Sequence, residues 1–351
     1  MWRKPVTVHY RRFTWDTNPP RKSFEELVRQ AAEHQPQGSP AKLKERYRLR
    51  MLRRDEDSLF INALAVEKDY LFGDITHFTK DQTQALFDDS KEDAPMADVQ
   101  QLPKPENGEL IHSLMYWMVK NDHVFLLQSQ SLRTEAAEEY FSWLLADKTG
   151  VLPKGVKVVF ASKFDAQAVG GDLEDIREVI VGGTVTRQAG PESLPTETVV
   201  EESGGLSQTL LAGWLKARKV LVALIDNEAD VEKIMQKLPE DGSLSVEVHI
   251  GYKTKKRKMS RAILKDLEVG LRNLPDSQLQ VRGKDGRQAP DGTVRLQHPA
   301  SVLFVTHGEG EAKRPTSLLQ PEDVLRSMLE AYNVFVSNGK ITDGVQRGQQ
   351  T

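Results

Sequence analysis

The chain has 351 residues, with 48 Lys or Arg against 51 Asp or Glu and a formal net charge of -3. This excludes a uniformly basic, histone-like protein and confines any polyanion contact to local patches. Cysteine is absent, which excludes disulfides, thiolate zinc sites, iron-sulfur clusters and cysteine nucleophiles. There is no run of about 18 apolar residues and no apolar core of signal-peptide length at the start, so a soluble, cytoplasmic protein without membrane insertion is expected.

The charge is segregated. Residues 1–54 carry fourteen Lys or Arg and five acids, and residues 55–109 carry four and fourteen, so the two blocks are able to pair with each other. Residues 6–13 alternate apolar and polar and predict a first strand. Ser23 with Glu26 three residues on predicts a capping box for a helix over 24–34, which prolines in 36–40 end. Residues 46–54 alternate again, Tyr47, Leu49 and Met51 against Arg48 and Arg50, and read as a strand. Arginines along one side of it could lie under phosphates or pair with the acidic block.

Strands are predicted at 59–67 and 70–78, then an acidic loop over 88–108 with three prolines, then strands at 109–119 and 123–128 joined by a hairpin turn at 120–122. Thr134 starts a helix with Glu135, Glu138 and Glu139 outward and Ala137, Tyr140, Phe141 and Leu144 inward. Trp117 and Trp143 are assigned to the core. The segment 150–155, with Gly at both ends and Pro153 between, marks a domain boundary.

Beyond it come strands at 156–162 and 176–186, with Gly182, Gly183 and Thr184 marking a bulge. A Pro, Gly, Ser and Glu-rich excursion at 188–205 precedes a helix at 206–217, a strand at 219–225 and a helix at 228–238 capped by Asn227. Further strands are predicted at 244–250, 278–282, 293–297 and 301–306, and Pro321 opens a last helix over 322–336 before a frayed polar tail. The fold class is α+β: two mixed α/β domains with largely antiparallel sheets, at 1–150 and 156–336, with a tail at 337–351.

The chemistry-bearing stretch is 251–272, GYKTKKRKMSRAILKDLEVGLR, in which eight of twenty-two residues are Lys or Arg against the acids Asp266 and Glu268. Met259, Ile263, Leu264, Leu267 and Leu271 recur at helical spacing, while Lys258, Arg261, Lys265 and Arg272 fall together on an outward side. A basic loop feeding a basic helix face suits a phosphate backbone, because cations there displace condensed counterions. A solvated helix surface has the same pattern.

Catalytic motifs are missing. There is no Walker loop, dinucleotide GxGxxG, HExxH, GxSxG or kinase signature. His77, His112, His123 and His249 show no metal-ligand spacing, and no metal or cofactor is expected. Asp226 and Glu247, or Asp172, Glu174 and Asp175, could be drafted into a metal-dependent nuclease, although position 249 is His where such sites use Lys. A third reading is an interaction module that presents the acidic 88–108 loop to a phage, host or defence-system protein.

Three passages carry a family resemblance. IGYKTKKRKMSRAILKDLEVGLRNLPDSQLQVRGKDG, VIVGGTVT and HVFLLQSQSL with its following helix resemble, in order and kind, elements of RexA-like phage exclusion proteins, over roughly residues 59–336. The segment through Arg54 and the 188–205 insert depart from that pattern. The resemblance implies a homodimer that binds double-stranded DNA without sequence preference in anti-phage defence. It carries over to Lys253, Lys255, Lys256, Arg257, Lys258, Arg261 and Lys265, with Lys284 and Arg287 in the next charged turn as second candidates.

Overall fold

The computed structural model describes residues 2–15, 22–88, 98–129, 131–165, 176–186, 243–251, 268–273, 279–283, 294–308 and 313–343. Among them the protein is α+β, and every strand pairing is antiparallel. Contacts divide the chain into two compact units: Met1–Lys163, Asp266–Asn273 and Leu296–Thr351 form one, and Phe164–Lys265 with Leu274–Arg295 form the other.

The first unit opens with β1 (Arg3–Trp15) and α1 (Phe24–Glu33). The capping box starts α1 as read from sequence: Glu26 N donates to Ser23 Oγ at 3.2 Å and Ser23 N to Glu26 Oε2 at 2.6 Å. There follow β2 (Met51–Arg54), β3 (Asp57–Val66), β4 (Leu71–Thr79), the two-stranded hairpin of β5 (Gln84–Asp88) and β6 (Asp98–Leu102), β7 (Ser113–Lys120) and β8 (His123–Leu127). Asn121, with φ of 54°, turns β7 into β8. Then come α2 (Thr134–Ser142), a π-helical turn Trp143–Lys148 and β9 (Val158–Ala161). After the second unit, β13 (Gln297–His307), β14 (Arg314–Leu319) and α3 (Pro321–Ser337) complete the first.

These strands form one nine-stranded sheet in the order β14-β13-β1-β8-β7-β4-β3-β2, with β9 also on β1. Alternation along the strands builds a core on each face. Met115, Trp117, Val119, Val124 and Leu126 pack with α1 and α2, while Tyr116, Met118, Phe125 and Leu127 pack with α3. The β7–β8 hairpin is therefore apolar on both sides. Asp323, at 4% exposure, clamps α3 to the sheet: it accepts from Leu303 N at 2.7 Å and pairs with Arg3 at 3.2 Å.

Several expectations are corrected. Residues 46–54 are not one strand: Tyr47–Arg50 is a 3-10 turn, because Arg50 buries its guanidinium and donates to Ile61 O at 2.9 Å, Asn62 O at 2.7 Å and Lys44 O at 3.1 Å. The acidic loop read at 88–108 begins at the last residue of β5 and contains all of β6, which pairs with β5. Elements from 297 onward pair and pack with β1, β7 and β8 instead of standing in a separate C-terminal domain. Nor is the tail frayed through 343: Ile341 is buried, His123 Nε2 lies 3.0 Å from Thr342 O, and Tyr332 Oη donates to Asp343.

In the second unit, β10 (Ile176–Thr186) is flanked by β11 (Ser243–Gly251) and β12 (Leu279–Gly283). Gly182 and Gly183 pair in regular register with Glu247 and Val246; the irregularity lies at Ile176/Glu178 against β12. The elements read at 188–205, 206–217, 219–225 and 228–238, with Asp226, and the acids Asp172, Glu174 and Asp175, lie outside the described residues.

Candidate nucleic-acid interface

The basic stretch leaves the end of β11 at Gly251. Lys253, Lys255, Lys256, Arg257, Lys258, Arg261 and Lys265 lie outside the described residues, as do Lys284 and Arg287. Its last turn, 268–273, is described, and it is anchored within the first unit. Ser162 Oγ donates to Glu268 O at 2.8 Å. Arg272 Nε donates to Glu138 Oε1 at 2.6 Å and Nη2 to Oε2 at 3.2 Å, a two-pronged, charge-assisted fork. Arg272 is thus neutralised internally and leaves the outward basic group predicted for it.

Glu138 is the second correction in this pair. Instead of facing outward on α2 it is 6% exposed, and Oε1 also accepts from Phe160 N of β9 at 2.7 Å. A buried carboxylate keeps its charge only when its lone pairs are matched, and here a strand amide and a guanidinium match them.

Among the described residues, ion pairs take five cations of the basic N-terminal block to acids outside the neighbouring acidic block. Arg29 pairs with Glu25, Lys42 and Lys44 with Glu33, Arg54 with Glu139, and Arg3 with Asp323. The hydrogen bonds from Lys42 and Lys44 hold the Glu33 carboxyl down at about 2. Within the acidic block, Lys104 bridges Asp81 and Glu109, each at 2.6 Å.

Three arginines of the basic block, Arg46, Arg48 and Arg53, are exposed and have no carboxylate partner among the described residues. Arg46 and Arg48 flank Tyr47 in sequence, and Arg48 lies against its ring. Tyr47, 43% exposed, lies 5.5 Å centroid to centroid from Phe60, and Phe60 lies 6.1 Å from Phe78. Arg48 Nε donates to Tyr47 Oη at 3.2 Å, with its guanidinium carbon 6.0 Å from the ring centroid. Register puts Met51 opposite Phe60 and Arg53 opposite Ser58, so Met51, Arg53, Ser58 and Phe60 share one face. Phe60 and Phe78 belong to neither core cluster. From sequence the arginines are expected along one side of a strand, under phosphates or paired with the acidic block, and Phe60 and Phe78 have no assigned role; the signal for this face is a Tyr flanked by arginines next to apolar strands.

His77 and His112 stand edge to face at 5.1 Å, with His77 Nε2 3.2 Å from Asp57 Oδ1, and His123 is separately buried against Tyr10. No cluster of metal-ligating side chains occurs among the described residues. No helix among them is long and apolar enough to cross a membrane.

No protein-family model and no curated protein matches the sequence.

Proposed function

We propose that the protein binds duplex DNA through its phosphate backbone, using the basic stretch between β11 and the anchored 268–273 turn. The observation carrying this reading is compositional. With Arg272 bound to Glu138, residues 253–265 still hold seven cations, Lys253, Lys255, Lys256, Arg257, Lys258, Arg261 and Lys265, and no acid. A cation cluster without carboxylates is matched most economically by a polyanion, and contacts of this kind position a protein without reading bases. The stretch follows the end of β11 at Gly251 in sequence and precedes a turn that Arg272 ties to Glu138. The likeness to RexA-like proteins adds a homodimer and a role in excluding phage.

The test is a titration of the full chain against duplex DNA at two salt concentrations. Charge reversal at Lys255, Lys256 and Arg257 is expected to weaken binding by about tenfold or more and to reduce the salt slope by about three. The melting temperature should stay the same. Unchanged affinity and slope would remove the stretch from the interface, and magnesium-dependent cleavage lost on Glu247→Ala would favour a nuclease instead.

A further inference from the structure

We propose that the open face of the sheet around β2, β3 and the end of β4 is a second, independent site that binds single-stranded DNA. Bases would stack on Tyr47 and Phe60, and phosphates would meet Arg46, Arg48 and Arg53.

The sheet has helices on both faces over most of its width, and α3 covers Tyr116, Met118 and Phe125 on the second face. Met51, Phe60 and Phe78 lie beyond that cover and enter neither core. Phe60 and Phe78 are half-buried and Tyr47 is exposed, so the row is open on its outer side. Tyr47 is the most telling member, being 43% exposed although it sits beside Phe60 and could have been buried on it.

The charge around the rings chooses the occupant. An apolar protein partner would leave Arg46, Arg48 and Arg53 desolvated without counter-charges, whereas a single strand offers a π-face and a phosphate at every nucleotide. The chemistry is also graded correctly in space. Ser58, Asp74 and Thr76 on this face are buried at 7%, 4% and 2% exposure, so the half-buried Met51, Phe60 and Phe78 and the exposed Arg53 form its outer layer. A duplex fits the patch poorly, because its bases are stacked inside and present edges to a protein, not faces. Single strands are held by the combination found here, aromatic platforms lining a cationic track. The two proposed sites share no residue and stand or fall separately.

The experiment is fluorescence anisotropy of the full chain with labelled oligothymidine of about 15 nucleotides, within the usual length of such tracks. Tyr47→Ala is expected to weaken binding about tenfold, with Tyr47→Trp restoring it and Arg48→Ala together with Arg53→Ala steepening the loss. Duplex affinity should be unaffected by Tyr47→Ala, and single-strand affinity should survive reversal of Lys255, Lys256 and Arg257. Because Tyr47 is exposed, its replacement is expected to leave the circular dichroism spectrum and melting temperature unchanged. A folded Tyr47→Ala variant with wild-type affinity for oligothymidine would overturn the platform. Oligouridine binding about tenfold tighter than oligothymidine would overturn the choice of DNA.

Discussion

Tyr140 shows how much one side chain holds in this fold. Its hydroxyl donates to Arg50 O at 2.6 Å and accepts from Ile61 N at 3.1 Å, joining the 3-10 turn to β3 beneath α2. Removing that oxygen strands a buried carbonyl and a buried amide together, and stranded groups cost more than an intact bond contributes. Tyr140→Phe is therefore expected to lower stability by about 2 kcal/mol, read from urea unfolding with unchanged m-value. A loss within error of zero would show that water replaces the hydroxyl. The inward place of Tyr140 was legible from helical spacing, as were the Ser23–Glu26 capping box and the burial of Trp117. Glu138 was not, because its partner Arg272 is 134 residues further along the chain and local pattern alone puts a glutamate outside.

At the scale of elements, the segment 268–273 is held by a fork between residues 134 positions apart, which no local pattern signals. Arg272→Ala would leave Glu138 with Phe160 N at 2.7 Å and only a long contact from Asn273 Nδ2 at 3.5 Å. An uncompensated buried carboxylate costs about 3 kcal/mol, so thermal denaturation of this variant should shift down by several degrees. Glu138→Gln combined with Arg272→Ala should recover part of the loss, since the orphaned charge is then gone; equal losses in the single and double variants would deny the coupling. Strand positions were well read because β1 alternates apolar with polar residues, and because β7 and β8 are short apolar runs set on either side of a turn. Residues 46–54 were misread for a physical reason: alternation of Tyr and Leu with Arg fits a strand, but buried Arg50 needs backbone carbonyls that only a tight turn brings within reach. Of the candidate interface, the sequence supplied the basic stretch and missed the aromatic face, whose residues come from three separate elements.

The whole first unit carries a titratable joint at its centre. His123 Nε2 lies 3.0 Å from Thr342 O, and a carbonyl only accepts, so Nε2 carries the proton and Nδ1 accepts from Tyr10 Oη at 2.8 Å. Burial, opposed by the carbonyl bond, pushes the ring down from 6.5 to about 4. The unfolded chain therefore takes up the proton first. Stability from this group is complete above about pH 6.5 and is lost as pH falls toward 4, by about 2 kcal/mol between pH 6.5 and 5. Urea midpoints across that interval should decline in the wild type and flatten in His123→Gln, while a parallel decline in both would assign the slope to other groups.

The antiparallel α+β character was legible from the mixed order of elements, but the pairing of β1 with β13 was not. Arg3 opposite Leu303 is a contact that no window of sequence contains. That pairing has a consequence for biosynthesis. β1 is an inner strand, with β8 on one side and β13 and β9 on the other, yet β13 is translated only after the entire second unit. A ribosome making this chain thus holds an open edge at Arg3–His9 for most of the time of synthesis, a template for any stray strand that arrives first.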